Sequence, residues 1–182
     1  MAENIRPARV EDAPGITRVH IETWRTTYRG IIPADFLANL PYEQWLVRRV
    51  QMLSKPAENT FTYVAEDDDS HIVGYIMGGP EREHDPQYRG ELYAIYLLQQ
   101  YQRRGLGRRL VLALAESLVR AHLYSMLVWV LADNSARLFY QSLGGQYLRS
   151  KPIEIGGASL LEEAYGWSDI RSLLLHDLRQ NH

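Results

Sequence analysis

Residues 91–110 read ELYAIYLLQQYQRRGLGRRL, a tyrosine-rich apolar strand candidate that passes through a short polar connection into two glycines opening a basic helix. A helix start exposes backbone N–H groups without intrahelical partners, and the helix dipole adds partial positive charge there, so an anion settles against it. Gly105 and Gly107 remove side chains that would hold a phosphate at a distance, while Arg103, Arg104, Arg108 and Arg109 surround the same turn and Gln102 adds a neutral donor. These residues describe a pyrophosphate cradle. A P-loop is excluded, because no Lys followed by Ser or Thr comes after the second glycine. The dinucleotide fingerprint is closer, with two of its three glycines and Asp133 ending the next strand candidate. Leu110 stands where its third glycine belongs, however, and QQYQRR intervenes where that fold turns tightly.

What fits is Q-x-x-G-x-G, here QRRGLG at residues 102–107. It resembles the acyl-coenzyme A loop of the GNAT family of N-acetyltransferases. A second stretch strengthens the resemblance: residues 125–145, SMLVWVLADNSARLFYQSLGG, place Asn134, Ala136, Phe139, Tyr140 and Gly144 in the order of the family's strand, short helix and glycine. The segments at 5–37, 61–78 and 162–167 are also similar to members of this family, so the resemblance covers nearly the whole chain.

Composition agrees without selecting any chemistry. The 182 residues suit one domain spanning the chain, and 46% hydrophobic with 23% charged residues is ordinary globular usage. A net charge of −2 gives no general attraction to nucleic acid. The absence of cysteine excludes disulfides, thiolate metal sites and a cysteine nucleophile. The six histidines are scattered without metal-site spacing, and no G-x-S-x-G elbow appears. No metal is expected. The polar N-terminus and the lack of any run of membrane-spanning length make a cytoplasmic protein the default, with no membrane partner.

The chain alternates helix and strand without a linker or repeat. Ile5 opens a short strand, Asp12 is placed to cap a helix carrying Ile16, Val19, Thr23 and Trp24 on one face, and Pro14 falls in its first turn. A second helical region starts near Pro33 and resumes over 42–53, with Trp45, Leu46, Arg49 and Val50 in phase. Strands are expected at 61–65, 71–78, 91–98, 125–132, 146–155 and 160–167, with a helix of about four turns from Leu106. The fold class is α/β, or α+β by some schemes, with a mixed sheet. Ile170, Leu173, Leu174 and Leu178 share a face of a last helix, which packs on its own domain or forms a homodimer contact.

The resemblance implies a mostly antiparallel sheet with helices on both faces, in which the strands at 91–98 and 125–132 run parallel and splay to admit acetyl-CoA. It implies backbone pairing of the pantetheine arm at Ile95, Tyr96 and Leu97, the pyrophosphate at Gln102, Arg103, Arg104, Gly105, Leu106, Gly107 and Arg108, and a far wall of Asn134 and Phe139. Trp24, Tyr28 and Tyr93 then border the acceptor. Acetyl transfer to an amine needs a base, since a primary amine is mostly protonated at neutral pH, and a proton donor for the leaving thiolate. Glu91, acting through water, is the candidate base, and Tyr140 the candidate acid.

Each role has a plainer alternative. The cradle reads as a capped surface helix, Tyr140 as a core aromatic, Glu91 as a solvated strand end, and Asn134 as an N-cap. Tyr93 and Tyr96 fall on opposite faces of a regular strand, and a bulge changes that assignment. The acidic segment EREHDPQYRGE at 81–91 reads as a solvated loop or as an approach for a cation. A small primary amine is favoured as acceptor over protein N-termini or lysines, because aromatic walls with carboxylates at the mouth suit a small cation. A non-catalytic acyl-CoA sensor is the competing class, with a nucleotide-dependent dehydrogenase third.

Overall fold

The computed structural model describes residues 3–180, with side chains through Leu175, so Leu178 lies outside the described side chains. Seven strands form one sheet: β1 (Asn4–Pro7), β2 (Phe61–Glu66), β3 (Ile72–Pro80), β4 (Gly90–Leu97), β5 (Met126–Leu131), β6 (Gln146–Ile155) and β7 (Ala158–Trp167). Their order is β1-β2-β3-β4-β5-β7-β6, and β4 with β5 is the parallel pair in an otherwise antiparallel ladder. The helices are α1 (Ala13–Thr27), α2 (Ala34–Ala38), α3 (Tyr42–Ser54), α4 (Leu106–Arg120), α5 (Ala136–Ser142) and α6 (Arg171–Gln180).

β3 organises the two layers. Its sequence IVGYIMGGP is buried at every position except the last, as a central strand covered on both faces requires. Neighbouring residues of this strand meet opposite helix layers. The Met77 thioether lies 3.2 Å from the Arg49 guanidinium of α3, whereas a Cβ on Gly78 would stand 2.8 Å from Leu114 of α4. One layer is therefore α1 and α3, and the other is α4. Leu110, Leu114 and Leu118 of α4 are fully buried against the sheet, and Ile16 and Val19 of α1 are fully buried on the other side. Burying such side chains contributes roughly 1.5–3 kcal/mol each.

Four local expectations need correction. Asp12 precedes α1, but its carboxylate binds the Arg6 guanidinium at 2.7 and 2.8 Å and the Arg9 N–H at 2.7 Å, so it caps nothing in α1. Val50 is exposed and Arg49 is the buried member of the α3 face. The strand expected over 71–78 runs on to Pro80, because Gly79 and Pro80 pair with Glu91 and Gly90. The acidic loop is not simply solvated: Asp85 binds Arg149 at 2.7 Å, Glu83 binds Lys151, and Glu81 accepts the N–H groups of Glu83 and Asp85, which ties the loop to β6 and to itself. In α6, Leu173 joins Ile170 in the core, and the helix packs on α4 of its own chain.

Gly78 sits close under α4, and an added Cβ would also lie 2.6 Å from the Glu91 carbonyl oxygen of β4. Gly78→Ala should lower unfolding free energy by about 1–3 kcal/mol, the usual cost of overpacking a rigid site. A urea melt with an unchanged midpoint would show that helix and strand give way freely there.

Candidate active site

The parallel pair is very short. Gly90, Glu91 and Leu92 of β4 pair with Met126, Leu127 and Val128 of β5, and the ladder then stops. Beyond that point β4 stays on β3 as far as Leu97, and β5 stays on β7 as far as Leu131, so the two strands diverge. Residues 93–97 of β4 consequently have no ladder partner on the β5 side. A bulge assists the opening. Met77 pairs with Ala94 but Gly78 pairs with Leu92, leaving Tyr93 as the extra residue in β4. The bulge brings Tyr93 to the same face as Tyr96: the Tyr93 hydroxyl donates to the Pro80 carbonyl at 2.5 Å, and Tyr96 stacks on His20 of α1 at 4.8 Å.

A cavity of about 910 Å³ fills this wedge. Of the residues marked in the sequence, it is lined by Ile95, Tyr96, Leu97, Gln102, Arg103, Gly105, Gly107, Arg108, Asn134, Phe139, Tyr140, Trp24, Tyr28 and Tyr93. Arg104, Leu106 and Glu91 do not line it. Leu106 is buried in the core, and Arg104 stacks over Tyr101 at 5.5 Å and approaches Glu3 at 3.9 Å. Arg109 also turns to Glu3, donating to its carbonyl at 2.8 Å. The turn ahead of α4 and the helix's first residues thus divide the four arginines, with Arg103 and Arg108 at the cavity and Arg104 and Arg109 at Glu3 just ahead of β1.

At the cavity's basic end, Gly105 is the N-cap of α4 with φ +80°, and no side chain caps that helix. The first-turn N–H groups are left for an external anion. A side chain at Gly105 would be strained by the backbone conformation, while a Cβ on Gly107 would stand 3.3 Å from Phe139 and 3.4 Å from Leu97. Gln102 does not aim its amide at the helix start. It donates to the Leu97 carbonyl at 2.9 Å, sealing the last acceptor of β4.

The opposite wall is α5. Asn134 accepts the Ala136 N–H at 2.9 Å, securing the helix start, and also borders the cavity. Tyr140 is only 5% exposed and packs against Phe139 at 5.4 Å and Trp167 at 6.4 Å. Burial raises the pKa of the phenols of Tyr140, Tyr28 and Tyr96 above the ordinary range, so all three hold their protons at neutral pH.

Glu91 is 2% exposed. Its two carboxylate oxygens accept from the Arg82 side chain at 3.0 and 2.5 Å, and one also accepts the Arg82 N–H at 3.2 Å. Arg82 in turn covers the Tyr93 ring at 4.3 Å. Burial and the nearby Glu91 push the Tyr93 phenol up to about 12.

Several lining residues escaped the sequence reading: Trp129 and Leu131 from β5, Ile153 and Ile155 from β6, and Glu162 from β7. The available signal was alternation in β7, which separates Glu162 from Glu163. Alternation alone does not say which face meets a cavity. Among the described residues no group of three or more His, Asp or Glu could hold a metal, and no helix is long and apolar enough to cross a membrane.

Splayed parallel strands beside an uncapped glycine helix start define an acyltransferase. The chain belongs to the acetyltransferase (GNAT) family, whose profile matches residues 19–144. It is 38% identical over 169 residues to an uncharacterized N-acetyltransferase, YuaI, of Bacillus subtilis, spanning 93% of this chain and 95% of that one. Its fold matches PaiA N-acetyltransferase of Thermoplasma acidophilum, solved in complex with coenzyme A, at TM-score 0.66 and 21% identity over 90% of this chain and 98% of that one. It also matches YncA of Salmonella typhimurium, solved with its cofactor acetyl-CoA, at TM-score 0.68 and 19% identity over 92% of this chain and 94% of that one.

Beneath Tyr96 lies a polar knot. His20 Nδ1 faces the Tyr75 hydroxyl at 3.1 Å and the Arg49 guanidinium at 3.3 Å, and its ring sits among Trp24, Trp45 and Tyr96. Arg49 has no lone pair to offer, so Nδ1 is the acceptor and the proton resides on Nε2. Burial, reinforced by Arg49, pushes the imidazole pKa down to about 3. A depressed histidine contributes stability that is present above the unfolded pKa of about 6.5 and lost as pH falls towards the folded value. Between pH 6 and 5 the wild type should lose about 1 kcal/mol more than His20→Gln, measured by urea unfolding. Parallel losses in the two proteins would mean that His20 protonates in the native state.

Proposed function

We propose that this chain transfers acetyl from acetyl-CoA to the primary amine of a small molecule. The observation that carries the reading is the continuity of one cavity from the uncapped start of α4, along the unpartnered edge of β4, to an aromatic chamber under α1. The solved relatives with coenzyme A and acetyl-CoA support the same occupant. The thioester supplies an activated acyl group. Backbone groups of Ile95, Tyr96 and Leu97 receive the amide-rich arm as an added strand, which satisfies polar groups that burial would leave unpaired. First-turn N–H groups of α4, with Arg103 and Arg108, hold the pyrophosphate, and Phe139 and Asn134 close the far side.

Tyr140 is the proton donor to the departing sulfur. A buried phenol that keeps its proton is suited to give it to a thiolate formed beside it. Glu91 was expected to act as base through water. With its carboxylate held by Arg82 and outside the cavity lining, it needs such a water path. Trp24, Tyr28 and Tyr93 border a chamber of small-molecule dimensions, which favours a small cation over a protein tail.

Coenzyme A at about 100 times its dissociation constant should stabilise the protein by roughly 2.7 kcal/mol, visible as a raised Tm, with NAD giving far less. Gly105→Val should lose most of the shift, and equal shifts in a folded variant would refute the cradle. Tyr140→Phe should lower kcat on the order of 10²-fold in a thiol-release assay over a panel of amines, while leaving the coenzyme A shift intact. Undiminished turnover would leave Tyr140 a packing residue. If coenzyme A binds and no amine or peptide accepts acetyl, the chain is a sensor; if only peptides accept it, the acceptor is protein.

A further inference from the structure

We propose that Glu162 seats the acceptor's ammonium and takes its proton, so that the acceptor is a primary amine with an apolar body. The inference rests on the acetyl transfer proposed above. Its basis is the distribution of charge around the cavity. Arg103 and Arg108 lie at the α4 end, and Glu162 is the one carboxylate among the described lining residues. It stands on β7 opposite Leu131 of β5 and Lys151 of β6, one strand away from the wedge. Its side chain is 14% exposed.

The neighbouring glutamate shows how the sheet sorts the pair. Glu163 points to the other face, where it accepts the Tyr165 hydroxyl at 2.8 Å and lies 3.9 Å from Arg137. Glu162 keeps company with Trp129, Leu131, Ile153 and Ile155, with Trp24 and Tyr28 across the chamber. A carboxylate in such walls favours a cation whose remaining surface is apolar.

Charged neighbours do not saturate it. The Lys151 ammonium is 3.5 Å from Oε1, is shared with Glu83 on the β3–β4 connection, and lies over the Trp129 ring at 4.1 Å. Glu91 of β4 is the other acid acting on it, and both acids oppose its ionisation. Burial raises the Glu162 pKa in spite of Lys151, as a proton acceptor facing an ammonium requires. Glu91, by contrast, has both oxygens on Arg82 and lies outside the cavity lining, so Glu162 takes its place as the base in this inference.

In the step this implies, a proton passes from the acceptor nitrogen to a Glu162 oxygen. The freed lone pair forms the C–N bond as the C–S bond breaks, and Tyr140 gives its hydroxyl proton to the departing sulfur. The nitrogen's second proton, lost as the amide forms, restores the Tyr140 hydroxyl, and Glu162 releases its proton to solvent, so that ammonium and thioester become amide, thiol and one proton.

The test uses Glu162→Gln, which keeps shape and removes charge, alongside Glu162→Asp. Phenethylammonium is titrated into coenzyme A-saturated protein and followed by NMR, and the thiol-release assay is run over a panel of primary amines. Expected is at least tenfold weaker phenethylammonium binding to Glu162→Gln, an amine KM raised on the order of 10²-fold, partial recovery with Asp, and an unchanged coenzyme A melting shift as proof of folding. Equal binding by wild type and Glu162→Gln, or no binding to wild type, overturns the seat. Product formed with the same KM by both proteins overturns the inference and leaves acetyl transfer standing. Binding that depends on Glu162, with no product from any amine, supports the seat and overturns acetyl transfer.

Discussion

The three-residue parallel contact between Gly90–Glu91–Leu92 and Met126–Leu127–Val128 is the constraint on which the rest depends. Each strand is claimed more strongly by its antiparallel neighbour, β4 by β3 and β5 by β7, and twist carries the two claims apart. The contact survives because one end is clamped. Gly90 donates its N–H to the Ser125 carbonyl at 2.9 Å, where a Cβ would itself lie 2.9 Å from that oxygen. The Ser125 hydroxyl accepts the Arg89 N–H and donates to the Gln87 carbonyl, both at 3.0 Å. Past the clamp the backbone of β4 has polar groups to satisfy and space beside it, and a binding cleft follows from that unmet demand.

Charge is arranged around the cleft by the same economy of partners. Arg104 and Arg109 are drawn to Glu3, Glu91 holds Arg82, and Asp85 and Glu83 hold the cations of β6, so these charges are occupied with structure. Among the described residues, what faces the cavity is a basic end at α4 and a single acid on β7. The knot of His20, Arg49 and Tyr75 sits behind Tyr96, where a neutral imidazole gives the ring a fixed backing without placing a second cation near the chamber.

The glycine-led start of α4, the Asn134-to-Gly144 stretch and the mixed sheet were legible in the chain. Each depends on short-range chemistry: a backbone conformation that glycine accepts, a helix start that needs an oxygen, and apolar runs of strand length. Tyr93 and Tyr96 were ambiguous for a reason that the bulge supplies, since one extra residue reassigns every face after it. Asp12 and Val50 were misread because a cap and a periodic face are local signals, which Arg6 and the packing of α3 overrode.

By itself, then, the sequence determined the family resemblance, the order of elements and the position of the glycine turn that opens α4, all carried by residues adjacent in the chain. Only the tertiary structure decided which charged groups reach the cavity. Glu91 and Glu162 lie 71 positions apart and look alike in sequence, each an acid in an apolar strand. One meets Arg82 and the other meets the chamber, because pairing, bulges and strand order decide which side chains share a space, and those are long-range properties of the sheet.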